Sequence, residues 1–281
     1  MRNITCRAIT NTVATLFQDA CIYLPDDVAS AIRRSLRKET SPLGRQALRT
    51  IIDNIHIAKD EQMPLCQDTG TAVVFLEMGQ DVHITGGDLC EAVQRGVRKG
   101  YADGYLRKSI VSQPFSARIN TGDNTPAVIH LEIVKGDRLK ICAMPKGGGA
   151  ENCSRFTALS PSQGYQGIVD FVANLVDEYG PNACPPLIIG IGIGGSSEKT
   201  MLLAKKALLR PIGEANDDRE VAKLEKEILT RINNLGIGPM GFGGNVTAIA
   251  VHIEVFPAHI ASLPVAVNLQ CWCSRHKEAV L

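Results

Sequence analysis

The sequence predicts a mixed fold, α/β or α+β, in which a helical N-terminal section packs with a mixed sheet and flanking helices. Apolar residues at helical spacing dominate residues 1–62, whereas short β-branched runs alternate with helical patterns over 63–281. The chain has no internal repeat, low-complexity stretch or linker that would divide it. We therefore expect a single domain over residues 1–281, mainly helical in 1–62 and mixed α/β in 63–281.

Proline and acidic residues mark where two helices of the N-terminal section begin. Pro25 precedes Asp26 and Asp27, which favour the first turn of a helix that should end near Lys38. The pair Ser41-Pro42 begins the next helix. Its apolar residues keep helical spacing and predict one buried face: Leu48, Ile51, Ile52, Ile55 and Ala58.

Short β-branched and apolar runs predict the strands. The first covers 71–78, and the runs 127–134 and 138–143 suggest a hairpin across Lys135-Gly136-Asp137. A continuous apolar run over 187–193 predicts a buried strand, and 247–256 and 263–270 predict two closing strands. Helical patterns cover the segments 86–101, 166–178, 196–210 and 217–235.

Composition and charge exclude several classes of protein. The 281 residues carry a formal net charge of +1, whereas nucleic-acid and membrane-surface proteins usually show a basic excess. No segment approaches the roughly 20 apolar residues that span a bilayer, and the N-terminus lacks the apolar region of a secretory signal. We expect a cytoplasmic protein that binds neither nucleic acid nor membrane. Small anionic ligands would need only a local cluster of Arg and Lys.

Three of the nine cysteines lie beside turn residues at the edges of apolar runs, where the end of a strand could present a thiolate: Cys66, Cys184 and Cys271. Three thiolates are one ligand short of a closed four-thiolate cluster, and Lewis-acid chemistry requires an open ligand position. The missing ligand indicates an enzyme. Disulfides are not expected in a reducing compartment, and four other cysteines should be small buried hydrophobes: Cys6, Cys21, Cys90 and Cys142.

Other ligand-type residues give weaker patterns. Cys271-x-Cys273 with His276 resembles half of a zinc site, but no second half with compact spacing exists. Cys273 could compete with Cys271 as a ligand, and Cys153 could either pack or line a site. His259 lies in a turn twelve residues before Cys271, where a lone histidine is more often structural.

Polar residues follow the first of these cysteines directly. A substrate on a metal at Cys66 would meet the amide of Gln67 and the carboxylate of Asp68. An acid beside an electrophile is the arrangement that combines proton transfer with Lewis-acid chemistry.

Two glycine-rich segments suggest nucleotide or phosphate binding. Residues 190–195 match G-x-G-x-x-G between a strand and a helix, with Glu214 and Asp217 at the spacing of a ribose contact. No second strand ends at those acids, and close packing of a helix on the glycines explains the segment equally well. Lys146-Gly147-Gly148-Gly149 lacks the P-loop order, yet its glycines would let backbone N–H groups approach an anion.

Seven motifs follow one another from about residue 40 to the end: Pro64-Leu-Cys-Gln-Asp-Thr-Gly70, Asn120-Thr-Gly-Asp-Asn-Thr125, Lys146-Gly-Gly-Gly149, Ala183-Cys-Pro-Pro186, Leu209-Arg-Pro-Ile-Gly213, Leu235-Gly-Ile-Gly-Pro239 and Ala261-Ser-Leu-Pro-Val-Ala-Val267. In this order they resemble the α subunits of the two-subunit class I fumarate hydratases, which are iron–sulfur hydro-lyases related to L-tartrate dehydratase. Within this resemblance the segment 190–195 loses its nicotinamide interpretation.

The resemblance implies that Cys66, Cys184 and Cys271 bind a [4Fe–4S] cluster whose fourth iron has no protein ligand. It implies substrate contacts at five further positions: Gln67, Asp68, Arg107, Gly148 and His259. Asp68 matches a proton-transfer residue, and Lys146 is added to the substrate-binding residues for its charge and its place in the loop. The unligated iron should make the cluster sensitive to oxidants.

The implied reaction is the reversible hydration of fumarate to L-malate, a step of the tricarboxylic acid cycle. A dianionic substrate requires cationic clamps, and the planar guanidinium of Arg107 suits bidentate carboxylate binding. The resemblance places the second proton-transfer group and further carboxylate-binding residues on a separate β subunit. We therefore expect this chain to be inactive alone and to work in a heterotetramer.

Three alternatives stay open. L-tartrate could be the substrate of the same machinery, although the Lys146 loop and the 120–125 motif resemble fumarase more closely and favour fumarate. An iron–sulfur sensor would hold a cluster without hydratase activity even with the β subunit present. A nicotinamide dehydrogenase would bind NADH.

Overall fold

The computed structural model describes residues 2–281, and its helices and mixed sheets confirm the predicted α/β or α+β class. The chain divides into two compact units. Unit 1 consists of the segment that ends at Leu24, of Ile55–Gly148 and of Arg275–Leu281. Unit 2 consists of Pro25–Asn54 and Gly149–Ser274. The single domain expected from the sequence stays a prediction.

Helices and strands alternate along most of the chain. The helices are α1 (Cys6–Ile22), α2 (Asp26–Lys38), α3 (Pro42–Asp60), α4 (Leu89–Asp103), α5 (Gly148–Asn152), α6 (Gly164–Tyr179), α7 (Ser197–Ala207) and α8 (Arg219–Asn233). The strands are β1 (Arg2–Thr5), β2 (Thr71–Gly79), β3 (Val82–Thr85), β4 (Val128–Val134), β5 (Leu139–Lys146), β6 (Arg155–Leu159), β7 (Leu187–Gly194), β8 (Ala248–Phe256), β9 (Leu263–Gln270) and β10 (Lys277–Val280). The sequence misses β1, β3, β6 and β10, because runs this short carry little periodicity. None of the helices between residues 2 and 281 has both the length and the apolar character needed to span a bilayer.

Unit 1 is built on a four-stranded sheet in the order β10-β5-β2-β4. Its core joins Val74 and Leu76 of β2 with side chains of α1 and α4, among them Val97. The two helices approach closely because α4 presents glycine to α1: a Cβ on Gly96 would lie 2.6 Å from the Cβ of Val13. The short strands β1 and β3 pair in parallel beside this sheet as a separate ladder.

The predicted hairpin between 127–134 and 138–143 is wrong, because β2 lies between its two strands. β2 pairs in parallel with β4 and antiparallel with β5. The connection between β4 and β5 crosses the end of β2, where the N–H of Gly79 donates to the Arg138 carbonyl at 2.8 Å and that of Gln80 to the Val134 carbonyl at 2.9 Å. A short turn between two strand-like runs does not show, in sequence, whether a third strand separates them.

Unit 2 is built on a second four-stranded sheet, in the order β6-β9-β7-β8. One face of β7, including Ile191, belongs to a core that α6 and α8 share. On the other face Gly190 and Gly192 lie against α7: a Cβ at these positions would come within 2.1 Å of the Ala204 carbonyl oxygen and 2.0 Å of the Thr200 carbonyl oxygen, respectively. The glycine-rich segment 190–195 is therefore a packing surface for α7, as one of its two interpretations predicts.

A buried histidine in β8 makes the stability of unit 2 depend on pH. His252 is 3% exposed, and burial, followed by the nearby Arg210 cation, lowers its pKa from 6.5 to about 4. A hydrogen bond to the Ala207 carbonyl and the charge of Asp27 act in the opposite direction. Between pH 6.5 and about 4, the unfolded chain therefore binds a proton that the folded chain excludes.

We predict that His252 lowers the free energy of unfolding by about 3 kcal/mol as the pH falls from 6.5 to about 4. Below that pH range His252 is protonated in both the folded and the unfolded chain, so the free energy of unfolding falls no further on its account. His252→Asn should remove this part of the pH dependence, measured by denaturant unfolding at several pH values. The matched control is His83→Asn, at an exposed position of β3, which should keep the wild-type slope. If the free energy of unfolding of His252→Asn depended on pH as strongly as that of the wild type, the assignment of this dependence to His252 would be wrong.

Candidate functional site

Residues 66–70 form a loop that leads into β2, and buried side chains of unit 1 hold its backbone. The Tyr101 hydroxyl contacts the carbonyls of Thr69 at 2.9 Å and Gly70 at 3.0 Å. The Asn124 amide donates to the Gly70 carbonyl at 3.1 Å. Tyr101 and Asn124 are fully buried, whereas the side chains at 66–68 are half-buried or exposed. The loop is therefore fixed from the interior and presents its polar side chains outward.

The Asp68 carboxylate accepts two backbone hydrogen bonds from different segments of unit 1. Its Oδ1 accepts from the N–H of Gly70 at 3.0 Å, and its Oδ2 accepts from the N–H of Gly148 at 2.7 Å. Hydrogen bonds to a carboxylate are charge-assisted and orient it. Both oxygens of this half-buried side chain are thereby held in fixed directions, as a proton-transfer group requires.

The glycines after Lys146 leave space beside Asp68. Backbone strain does not require them, because neither Gly147 nor Gly148 has a positive φ. A Cβ on Gly147 would meet only Asp68 Oδ2 at 3.4 Å and Arg275 Nη2 at 3.6 Å, and a Cβ on Gly148 only Asp68 Oδ2 at 3.7 Å. Side chains here would fill volume next to the carboxylate. Gly147 is buried and Gly148 is exposed, so Gly148 is the glycine that suits the close approach of a small ligand.

Three further predicted residues lie in unit 1 with different exposure. Gln67 and Arg107 are exposed, and the Arg107 carbonyl accepts from the Thr69 hydroxyl at 2.9 Å, which places its backbone beside the 66–70 loop. Lys146, predicted to add a charge to the glycine loop, is the last residue of β5 and is 1% exposed. Its register partner is Thr71 of β2. The structure therefore brings Gln67, Asp68, Gly148 and the Arg107 backbone together and buries the lysine.

In unit 2 the backbone brings Cys184 and Cys271 together. Cys271 follows β9 directly, and the N–H of Trp272 donates to the Cys184 carbonyl at 3.3 Å. Cys184 is exposed and has a left-handed backbone with φ 55°, which is uncommon for a residue with a side chain and frequent at functional sites. Cys271 is half-buried, whereas Cys273 is 1% exposed. Of the two cysteines in this motif, Cys271 therefore has the accessible thiol.

His259 lies in an exposed turn of unit 2, between β8 and β9. Its Nδ1 accepts from the N–H of Ala261 at 3.1 Å, and its carbonyl accepts from the N–H of Ser262 at 2.9 Å. With Nδ1 as acceptor, the neutral ring carries its proton on Nε2. Nε2 can then donate to an anionic ligand.

Comparison with known proteins places the chain in a family. The family model for fumarate hydratase (Fumerase) matches residues 10–280. The chain belongs to this family. A relative from Methanocaldococcus jannaschii, provisionally named L(+)-tartrate dehydratase subunit alpha, is 43% identical over 272 residues, which are 95% of each chain. The L(+)-tartrate dehydratase subunit alpha of Escherichia coli strain K12 is 35% identical over 271 residues, 95% of this chain and 88% of the relative.

The predicted ligand positions of this fumarate hydratase family member suit an iron–sulfur cluster in donor type and accessibility. Cys66 and Cys271 are half-buried, Cys184 is exposed, and none of the nine cysteines forms a disulfide. Thiolate sulfur is the donor that holds such clusters. Between residues 2 and 281, no three side chains of His, Cys, Asp or Glu are assembled into a metal-binding group.

Burial separates packed thiols from accessible ones. Three cysteines are buried as predicted: Cys6, Cys21 and Cys142. Burial raises the pKa of Cys21 to about 11. The prediction for Cys90 is wrong, because this exposed residue lies in the first turn of α4, ahead of its buried stripe. Cys153 is packed, and its thiol donates to the Gly149 carbonyl at 3.2 Å.

Three buried residues near the 66–70 loop were not predicted as functional. Tyr101 lies near the end of an amphipathic helix and has the pattern of an ordinary core residue. Asn124 lies within the motif 120–125, which is the signal that could have identified it. Arg275 follows Cys271 by four residues, and no sequence pattern marks it.

Gly148 and Gly70 allow a test that separates ligand space from backbone strain. Gly148→Ala should change the free energy of unfolding by no more than about 1 kcal/mol, because its Cβ would make an ordinary contact at 3.7 Å. Gly70→Ala should cost at least about 2 kcal/mol, since its φ is +78° and its Cβ would lie 2.6 Å from the Lys146 carbonyl. Denaturant unfolding of both variants measures the difference. Equal losses of stability would contradict this division of roles.

Proposed function

We propose that the chain is the cluster-bearing α subunit of a hydro-lyase that adds or removes water at a four-carbon dicarboxylate, with a [4Fe–4S] cluster as cofactor. The observation that carries the proposal is the Asp68 carboxylate, which two N–H groups orient beside the space left by Gly147 and Gly148. Family membership supports the hydro-lyase class. We expect the cytoplasm as the compartment, because it keeps thiols reduced.

The proposed cluster ligands are Cys66, Cys184 and Cys271. Their accessible thiols and the family motifs in which they lie support this assignment. When bound, the cluster supplies a Lewis acid for the departing hydroxyl group. Cys273 is not included, because its side chain is almost completely buried.

The remaining residues bind the substrate and move a proton. The exposed guanidinium of Arg107 suits bidentate binding of a substrate carboxylate. The Gln67 amide and His259 Nε2 are hydrogen-bond donors for further oxygen atoms. Asp68 exchanges a proton with the water that enters or leaves, through an oxygen whose direction is already set. Substrate contacts at Gly148 and at the buried Lys146 stay predictions.

We further propose a separate β subunit and an α/β heterotetramer. The relatives from Methanocaldococcus jannaschii and Escherichia coli are named as α subunits, which supports a partner of this kind. The β subunit would contribute the second proton-transfer group and additional carboxylate-binding residues. Removing water from a 2-hydroxy acid needs proton transfer at both oxygen and carbon, so a second group besides Asp68 is required, and we propose that the β subunit supplies it.

Two 2-hydroxy acids, L-malate and L-tartrate, fit this class of substrate. They differ by one hydroxyl group. The sequence motifs favour fumarate and L-malate, and the matching family model is that of fumarate hydratase. The names of the two relatives support L-tartrate equally well. Dehydration of L-tartrate to oxaloacetate is therefore the second candidate function.

The test is anaerobic reconstitution of the chain with iron and sulfide, with and without its β subunit. We expect turnover only when both subunits and the cluster are present, followed as fumarate absorbance from L-malate and as oxaloacetate from L-tartrate. The better substrate, by kcat/KM, decides between the two functions. A loaded complex that turns over neither substrate would overturn the hydro-lyase proposal and favour a sensor role.

Cysteine replacements test the ligand assignment independently of activity. Cys66→Ser, Cys184→Ser and Cys271→Ser should each lower the iron bound per chain and the visible absorbance of the reconstituted protein, because each removes a thiolate ligand. Two controls should retain wild-type iron: Cys90→Ser, at an exposed thiol, and Cys273→Ser, at a buried one. If Cys273→Ser emptied the cluster and Cys271→Ser did not, the assignment of Cys271 would be wrong.

A further inference from the structure

Arg275 is a buried cation at the point where the chain returns to unit 1. Its side chain is 1% exposed and is the largest of the fully buried side chains among residues 2–281. Burying a guanidinium costs several kcal/mol in lost hydration, whereas an apolar residue of similar volume would avoid that cost. A buried arginine at this place therefore requires an explanation beyond packing.

The guanidinium of Arg275 lies next to the backbone and the carboxylate of the candidate site. Its Nη2 and Asp68 Oδ2 border the same point beside Gly147, at 3.6 Å and 3.4 Å from the position that a Cβ would occupy. Gly147 precedes Gly148, whose N–H donates to Asp68. The Arg275 guanidinium therefore lies beside the glycine segment whose N–H orients the carboxylate.

The two opposite charges also act on the same buried groups. Burial raises the pKa of the Cys21 thiol to about 11. The Arg275 cation opposes this rise, and the charges of Cys66 and Asp68 add to it. The pKa of the Tyr101 hydroxyl is raised by burial and responds to the charges of Arg275 and Asp68 in the same directions. Tyr101 in turn contacts the carbonyls of the 66–70 loop. The charges of buried Arg275 and half-buried Asp68 thus act on the same core groups of unit 1, in addition to bordering the same point beside Gly147.

We propose that Arg275 is a positioning residue, whose buried guanidinium is the fixed countercharge that holds Asp68 and the 146–148 segment in the geometry needed for proton transfer. A charge that is always present and is delocalised over a rigid planar group suits this role. The identity of the reaction rests on the hydro-lyase function proposed above. The positioning of Asp68 does not depend on that function, because it can be measured without catalysis.

The experiment compares Arg275→Lys, which keeps the charge, with Arg275→Met, which keeps much of the volume without charge. Hydrogen exchange of the full chain is followed in peptides covering 66–71 and 146–150, which contain the N–H groups of Gly70 and Gly148. We expect exchange to accelerate about tenfold in Arg275→Met, because the carboxylate no longer stays on these donors, and Arg275→Lys to restore most of the protection. Arg210→Met, at a half-buried and ion-paired arginine of unit 2, is the matched control and should leave both peptides unchanged.

The kinetic arm uses the reconstituted complex with its β subunit. Arg275→Met should lower kcat by about 10- to 100-fold with KM within about threefold, because a displaced proton-transfer group affects the chemical step more than binding. Arg275→Lys should recover most of kcat. A purely structural role would instead give equal losses in both variants, together with a lower unfolding temperature.

Unchanged exchange in both peptides of Arg275→Met, or equal acceleration in Arg275→Lys, would overturn the proposal. If Arg275→Met does not fold, Arg275→Gln takes its place with the same expectations. A wild-type complex without hydro-lyase activity would reject the proposed function, and the exchange arm would still decide whether Arg275 positions Asp68.

Discussion

The hydrogen bonds accepted by the Asp68 carboxylate are the constraint on which the candidate site of unit 1 depends. One oxygen is held by Gly70, at the entrance to β2, and the other by Gly148, just beyond β5. These segments stay adjacent because β2 and β5 pair antiparallel up to Thr71 and Lys146. The positive φ of Gly70 then lets the loop backbone pass within a few ångströms of Lys146. The register between β2 and β5 thus fixes the orientation of the Asp68 side chain, a candidate site residue.

Glycine serves two opposite purposes in this chain, and the surroundings of each position distinguish them. At Gly190 and Gly192 the missing side chain is replaced by the backbone of α7, so these residues allow close packing. At Gly147 and Gly148 almost nothing fills the same volume, and the atoms that border it belong to Asp68 and Arg275. The first pair resembles a nucleotide motif in sequence but is a packing surface. The second pair has no complete motif, yet it borders the space where we propose that the substrate approaches.

Each compact unit of this fumarate hydratase family member contains residues that we propose for the chemistry. Unit 1 contains the oriented carboxylate, the accessible Cys66 and the exposed Arg107. Unit 2 contains Cys184 and Cys271, which a backbone hydrogen bond from Trp272 holds side by side. The candidate residues Asp68, Cys184 and Cys271 lie in loops next to strand ends, and hydrogen bonds hold the backbone of those loops. Hydro-lyase chemistry needs this combination, since proton transfer tolerates little error in position.

The amino-acid sequence is sufficient to predict several helices, the longer strands and the family. Helical periodicity and capping residues predict α2, α3 and α8 within a few residues, because these signals depend on neighbours along the chain. The motifs around Cys66, Cys184 and Cys271 led to the fumarate hydratase resemblance, which the family comparison confirms. Strand pairing depends on tertiary contacts, so the insertion of β2 between β4 and β5 was not predictable from the sequence. The exposure of Cys90, the burial of Lys146 and the approach of Arg275 and Asp68 to the same point beside Gly147 also depend on tertiary contacts. These outcomes depend on which distant segment of the chain covers each side chain. Periodicity along the sequence does not indicate which segment that is.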